Sequence, residues 1–394
     1  MFQRGHVFLP DNTIAFMQAS FIANQYSERA RDTVSRAIAS HPSLKSLLDV
    51  PQSPKHHAEG PYLYDHIELG LASLYAILDG KIDLLAIDEF RSMRGYEAEI
   101  SELQETIKER AASMEAFLLI HDLGKLQSIS FTSSGKGKAH GFPPRYIRAS
   151  GAFRAELFAN YQKLFGKFVH ENSQMSLKES YLRFYDEYAI DIHYEGHASA
   201  LLNSELKNIC DCICEERGVR GAEIDLVRSL SLRHDLPLKL FRKSRASLME
   251  IIIACATKDR FDSDDYIDSM QAVMVLDAVF GSRAYKYGVV SVEIDTTKNF
   301  LISEHDYAPS KSSRAGKRAE IREKQRVNNI LKQAGLDGKT VSQIAEVSPG
   351  PKLGELMTEI QSAVRYGSPF FVKSSGEEVL LERIRKARTL FESR

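Results

Sequence analysis

From Ala15 to about Gly281, apolar residues recur mainly at helical spacing, three and four apart. That period makes a β-sandwich or a parallel-sheet fold a poor solution, because a strand needs alternation at two. The period breaks at residues 41–61, 133–144 and 217–221, where Pro, Gly, Ser and charged residues cluster. The expected fold is therefore mainly α. Between Val289 and Ile302 the run VVSVEIDTTKNFLI offers two β-rich stretches around a polar turn and reads as a possible β-hairpin at a domain edge.

At 394 residues the chain is long enough for two domains or one enlarged domain. Residues 306–318, DYAPSKSSRAGKR, have a linker's composition and lead to a small C-terminal helical module over 319–394. Charge divides at the same place. Residues 308–394 hold 17 Lys and Arg against 10 Asp and Glu, whereas residues 1–307 hold 35 against 43. A basic tail on an acidic body suits either a polyanionic partner or simple solvation. Within the tail, Lys311, Arg314, Lys317, Arg318, Arg322, Lys324 and Arg326 form the densest basic segment and are the candidate RNA contacts. No stretch approaches the length of an apolar membrane span, and the N-terminus lacks a basic segment followed by a long apolar run. The four cysteines fit no paired framework, so the expected setting is a reducing cytoplasm.

Chemistry enters at MEAFLLIHDLGKL. Met114, Phe117, Leu118 and His121 share one helix face, which points His121 inward, and Asp122 follows about 100° round the helix. Gly124 suits the end of that helix. An adjacent His and Asp can each reach a cation, and the carboxylate can bridge a second. His66 lies beside the Leu63, Ile67, Leu71 and Leu74 stripe; His234 extends the face of Val227 and Leu230; His197 precedes an amphipathic segment. Asp259 continues the face of Leu248, Ile252 and Cys255, and a carboxylate there needs either a cation or an ion-pair partner, with Arg260 and Lys258 the nearest in sequence. Histidine and carboxylate ligands without cysteine suit one or two divalent ions from Mn, Fe, Ni, Co, Zn or Mg. HYEGH misplaces the Glu of a zinc-protease helix, and GKGKAHG lacks the spacing of a phosphate loop, leaving it a basic loop, solvated or in contact with phosphate. Cys210, Cys212 and Cys214 complete no zinc knuckle.

The order His66, His121-Asp122 within HDLGK, His197, His234 and Asp259 resembles the HD-domain metal-dependent phosphohydrolases. YDHIELGLASL, AFLLIHDLGKLQSISF, EGHASALL and ACATKDR are similar to the HD region of bacterial CCA-adding enzymes, and VSPGPKLGELMTEIQSAVRYG, at 347–367, resembles a tail segment of the same enzymes. The nucleotidyltransferase core of that family has no counterpart here. The resemblance implies an HD-type domain over 1–305 with an insertion at about 133–190. It also implies one metal held by His66, His121, Asp122 and Asp259, a second held by Asp122, His197 and His234, and Lys125 beside the phosphate or solvated at a helix end. The expected activity is a divalent-metal-dependent phosphodiesterase or phosphatase acting on RNA ends, including tRNA, or on nucleotides, with 2′,3′-cyclic phosphate or 2′-phosphate favoured. The alternatives are a nucleotidase or nucleoside triphosphate hydrolase without polymer preference, and a non-catalytic RNA-binding adaptor.

Overall fold

The apolar period builds helices in the computed structural model, which describes residues 22–87, 90, 93–147, 151–240, 245–292, 294–307, 338–345 and the isolated positions 350, 353, 354 and 357. The chain divides into two compact units, Met1–Tyr307 and Ala308–Arg394. In the second, the described residues form a helix, Gly338–Ala345, with Val341 buried. Lys311, Arg314, Lys317, Arg318, Arg322, Lys324 and Arg326, with the linker from 308 onward, lie outside the described residues.

The first unit is mainly helical, with two small antiparallel strand pairs. Its longer helices are α1 (Ser27–Ser40), α2 (Leu63–Leu78), α3 (Glu97–Glu109), α4 (Ala111–Ile120), α5 (Gly151–Glu171), α6 (Leu177–Tyr188), α7 (Ser204–Glu216), α8 (Ala222–Arg233), α9 (Arg245–Asp259), α10 (Ser263–Met274) and α11 (Asp295–Tyr307). The helix α4 is the hub: α2, α3, α7, α8 and α10 all pack against it. This placement explains its composition. Ser113, Met114 and every residue from Ala116 to Ile120 are buried, so the helix is apolar all round rather than along one stripe. Each large apolar side chain there contributes roughly 1.5–3 kcal/mol relative to exposure. At its end the chain delivers His121 and Asp122 to the middle of the unit.

Local capping sets several boundaries. The Tyr62 N–H donates to Asp65 Oδ2 at 2.9 Å and starts α2; Ser176 and Glu179 exchange hydrogen bonds at the start of α6; Asp262 accepts from the N–H groups of Asp264 and Asp265 to start α10. After α10 the helix widens into a π-helical turn, Val275–Gly281.

The segment 133–190 is a helical lobe. Strands β1 (Ser130–Ser133) and β2 (Ile190–His193) pair antiparallel at its base, and α5 and α6 pack against each other beyond them. Phe165, Phe168, Tyr181 and Phe184 interlock within it. The basic loop GKGKAHG is a short 3-10 helix, Lys136–His140, with the Lys136 ammonium on Glu187 at 3.0 Å.

The second strand pair corrects the hairpin expected over 289–302. It runs earlier, from β3 (Ala284–Lys286) to β4 (Val289–Ser291), and Asp295–Tyr307 is helix α11. The turn explains the shift: Tyr287 and Gly288 have φ values of 54° and 80°, the pair of left-handed residues that a two-residue hairpin requires. The later apolar residues then serve a helix, since buried Thr297, Phe300 and Leu301 stand at i, i+3 and i+4 facing α9.

Gly124 is not a left-handed helix end; its φ is −75°. It is small because the backbone of the short helix His197–Ala200 crosses it, and a Cβ at 124 would stand 2.0 Å from the His197 carbonyl oxygen. Gly124→Ala should therefore destabilise the protein by about 1–3 kcal/mol and disturb His197, measurable as a lower midpoint in denaturant with the fold retained. An unchanged midpoint would refute the close-approach account.

Candidate metal centre

Asp122 lines a cavity of about 520 Å³, its carboxylate between two pairs of histidines. On one side, His197 Nε2 and His234 Nε2 are 3.1 Å apart, and stand 3.0 and 3.5 Å from Asp122 Oδ1. On the other, His66 Nε2 and His121 Nε2 are 3.2 Å apart, and His121 Nε2 is 3.4 Å from Asp122 Oδ2. Asp277 Oδ1 completes this second set, 3.1 Å from His66 Nε2 and 3.6 Å from His121 Nε2. His66 and His121 are fully buried, and Asp122 is 3 % exposed.

The main chain fixes how each ring is oriented. His66 Nδ1 faces the Gly281 carbonyl at 2.9 Å, His121 Nδ1 that of Phe117 at 3.2 Å, His197 Nδ1 that of Tyr194 at 2.9 Å and His234 Nδ1 that of Ser231 at 2.7 Å. A carbonyl only accepts, so each Nδ1 is assigned the proton and each neutral ring turns its Nε2 lone pair toward the centre. Two lone pairs 3.1–3.2 Å apart cannot hydrogen-bond each other. Asp122 Oδ1 likewise is buried without a hydrogen-bond donor. Each pair therefore needs a positive charge between its rings.

A proton is one such charge and a divalent ion another. Burial opposes protonation of His66, but Asp277 and Glu59 outweigh it and lift its pKa to about 10, whereas burial lowers that of His121 despite its carboxylate neighbours. On the other side burial again opposes the charge, and Asp122 raises the pKa of His234. Despite their own burial, Asp122 and Asp277 are held well below the usual carboxylate range, Asp122 chiefly by Lys125 and His121, Asp277 by His121 and His66. The donor atoms of each set, His66 with His121 and Asp277, and Asp122 with His197 and His234, lie within 4.8 Å of one another. Ligands about 2.0–2.2 Å from a shared ion stand about 3–3.5 Å apart, close to the separations here. The buried His66, His121, Asp122, His197 and His234 can hold a metal ion.

Asp259, the expected acidic ligand, is elsewhere. It closes α9 with its carboxylate on the Arg233 guanidinium, at 2.5 and 3.1 Å, and accepts from Ser229 Oγ at 2.6 Å. Its partner comes from α8, across the helix packing, and not from Lys258 or Arg260. Asp277 takes the position beside His66. Its sequence signal is a single carboxylate in the apolar run AVMVLDAVFG, and the π-helical turn there widens the spiral as such turns commonly do at functional sites. The same turn brings the Gly281 carbonyl to His66, and a Cβ on Gly281 would stand 3.0 Å from the His66 ring.

Two further residues escape sequence reasoning. Buried Glu59 accepts from the Arg283 N–H at 2.8 Å, while its other oxygen sits 2.9 Å from His57 Nδ1 and 3.3 Å from His66 Nδ1. Against its burial, His57 and His66 hold its pKa at about 2. Such an outer carboxylate fixes the orientation of a ligating ring. His57 passes the network on to Lys125, 3.2 Å away, and burial with the Lys125 charge lowers its own pKa to about 4. Lys125 is not solvated: it is buried, 2.6 Å from Asp122 Oδ2 and 3.2 Å from Gln52 Oε1.

Comparison with protein-family models, curated proteins and solved structures finds no match to this chain. Among the described residues, no helix is long and apolar enough to cross a membrane.

Proposed function

We propose that the chain is a divalent-metal-dependent phosphohydrolase of the HD type. One observation carries this reading: a single buried carboxylate, Asp122, stands between two histidine pairs whose Nε2 atoms converge to 3.1–3.2 Å, a spacing that suits a shared cation. His66, His121, Asp277 and Asp122 would hold one ion, and Asp122, His197 and His234 a second. A divalent ion held by these residues would supply a lowered pKa for water and positive charge for the phosphoryl oxygens. The chain's own residues do the rest. Glu59 and the Gly281 carbonyl orient His66, and Lys125 brings an ammonium to the cavity beside Asp122. The net reaction adds water across a P–O bond and releases phosphate or a phosphomonoester. The substrate class follows the sequence resemblance: an RNA end or nucleotide, with 2′,3′-cyclic phosphate or 2′-phosphate favoured. A nucleotidase or triphosphate hydrolase uses the same groups, and an adaptor without catalysis would leave them without work.

The test combines metal analysis of the purified protein with a panel of cyclic, mono- and triphosphate esters, each offered with Mn, Ni, Co, Fe, Zn or Mg. Hydrolysis should require a divalent ion, stop on chelation and return when the ion is restored. Equal hydrolysis before and after chelation, or binding of no divalent ion, would sink the proposal.

A second reading, RNA docking by the tail, is supported by the excess of 17 basic over 10 acidic residues in 308–394. Replacing Lys311, Arg314, Lys317, Arg318, Arg322, Lys324 and Arg326 by Gln should weaken RNA binding. It should also flatten the log-log salt dependence by about 0.7 for each phosphate that is no longer neutralised. An unaltered slope would assign the tail's charge to solvation.

A further inference from the structure

Away from the metal centre, the cavity that Asp122 lines is built largely from carbon. Ile192, in β2, and Tyr194 just after it contribute one stretch, Ala278 and Ala284 another, and Leu238 a third, from the short helix Leu236–Leu240. Leu238 is 41 % exposed, so it presents apolar surface to whatever enters. The rings in this lining are held in place. The Tyr194 hydroxyl donates to the Pro51 carbonyl, and the Lys125 ammonium stands 5.1 Å from the centroid of the Tyr194 ring. His193 Nε2 is 2.8 Å from Thr132 Oγ1, and Tyr146 meets the His193 ring edge-on, with 5.6 Å between centroids. Burial lowers the His193 pKa, so this side chain enters the lining as a neutral ring.

The charges in the same lining are already committed. Lys125 is paired with Asp122, Lys239 with Asp235, and Lys286 has a partner of its own. Burial, followed by the charges of Lys55, Lys125 and Lys286, pushes His56 toward its neutral form. Glu195, exposed and in the lining, adds negative charge. Among the described residues, therefore, the lining offers no unpaired lysine or arginine to a second or third phosphate, and Glu195 disfavours any further anion.

One phosphate, at the metal centre, is the charge this cavity can answer, and the rest of the ligand has to suit aliphatic and ring surfaces. A flat ring does so, because it stacks on fixed aromatic side chains and covers aliphatic ones without requiring hydrogen bonds. A cavity of about 520 Å³ is within the range of sites for molecules of this size. We infer that the ligand class is a phosphate ester with a single phosphate and a flat ring, as in a nucleoside monophosphate, and that Leu238 is a specificity-determining residue that covers the ring. This rests on the phosphohydrolase reading for the place of the phosphate, but not for the ring preference itself.

Calorimetric titration with adenosine 5′-monophosphate, ribose 5-phosphate and adenosine 3′,5′-bisphosphate tests it, on full-length protein both Mn-loaded and chelated. Wild type should bind the monophosphate with the ring about tenfold more tightly than ribose 5-phosphate, the worth of one stacked ring. The bisphosphate should bind within about twofold of the monophosphate, since its second phosphate meets no unpaired cation. Leu238→Ser, at an exposed position, should keep the melting temperature and reduce the ring preference to about threefold or less, and Leu238→Met should retain it. Equal binding of adenosine 5′-monophosphate and ribose 5-phosphate, a tenfold gain from the second phosphate, an unaltered preference in Leu238→Ser, or no binding of any of the three overturns the inference. Failure to hydrolyse any ester with the Leu238-dependent preference intact would remove the phosphohydrolase reading and leave this one. Hydrolysis without the preference would do the reverse.

Discussion

On the proposed function, Asp122→Asn should abolish hydrolysis, lowering kcat by at least about 10³-fold, equivalent to roughly 4 kcal/mol of barrier. The amide keeps the shape of the carboxylate but removes the one charge shared by both histidine sets, so metal content should fall at both. It also strips Lys125 of its closest partner. Losing one partner of a buried ion pair costs about 3–5 kcal/mol, so the single variant confounds instability with lost chemistry. The double variant Asp122→Asn with Lys125→Met separates them, because it removes the orphaned ammonium. Its melting temperature should recover toward wild type while hydrolysis and metal content stay low. Recovery of hydrolysis along with stability would show that Asp122 serves the fold alone.

The second large effect sets two aspartates against each other. Asp277→Asn should lose the ion held with His66 and His121, reducing metal content by one equivalent and turnover by about 10²-fold or more, with little change in stability. Asp259→Ala should do the opposite. It leaves Arg233 without its carboxylate and Ser229 without an acceptor at a partly buried site, a loss of about 1–3 kcal/mol, with metal content and hydrolysis kept. Metal analysis and denaturant midpoints on the two variants read both directions. If Asp259→Ala loses metal and Asp277→Asn does not, the carboxylate assignment is reversed.

The sequence points to Asp259 for a physical reason. Helical periodicity reports which face is buried but not what lies across it, and the cation answering Asp259 is Arg233, on another helix. Asp277 is hidden for a related reason. It sits in a run so apolar that no stripe stands out, and the π-helical turn breaks the 3.6-residue count that would place it. The mainly helical class is legible because period alone decides it, and His66, His121, Asp122, His197 and His234 can be picked out because each adjoins an apolar stripe. Glu59 cannot, lying in a Pro- and His-rich segment without period, where only the tertiary contact to His66 gives it meaning. The hairpin is displaced for a local reason: Tyr287-Gly288 carries the turn, and a tyrosine is a weak sequence marker of a left-handed residue.

The hydrogen bond from His66 to Gly281 spans 215 residues of chain. During synthesis, a ribosome emitting about 5–20 residues each second releases His66 roughly 10–40 seconds before Gly281. Throughout that interval the first histidine pair lacks both the carboxylate that completes it and the carbonyl that aims it. On the proposed reading, selection of the ion for the first set would then be deferred until the finished unit imposes its own spacing. A nascent chain stalled before residue 277 would lack the Asp277 carboxylate and the Gly281 carbonyl of the first set, while Asp122, His197 and His234 of the second were already made.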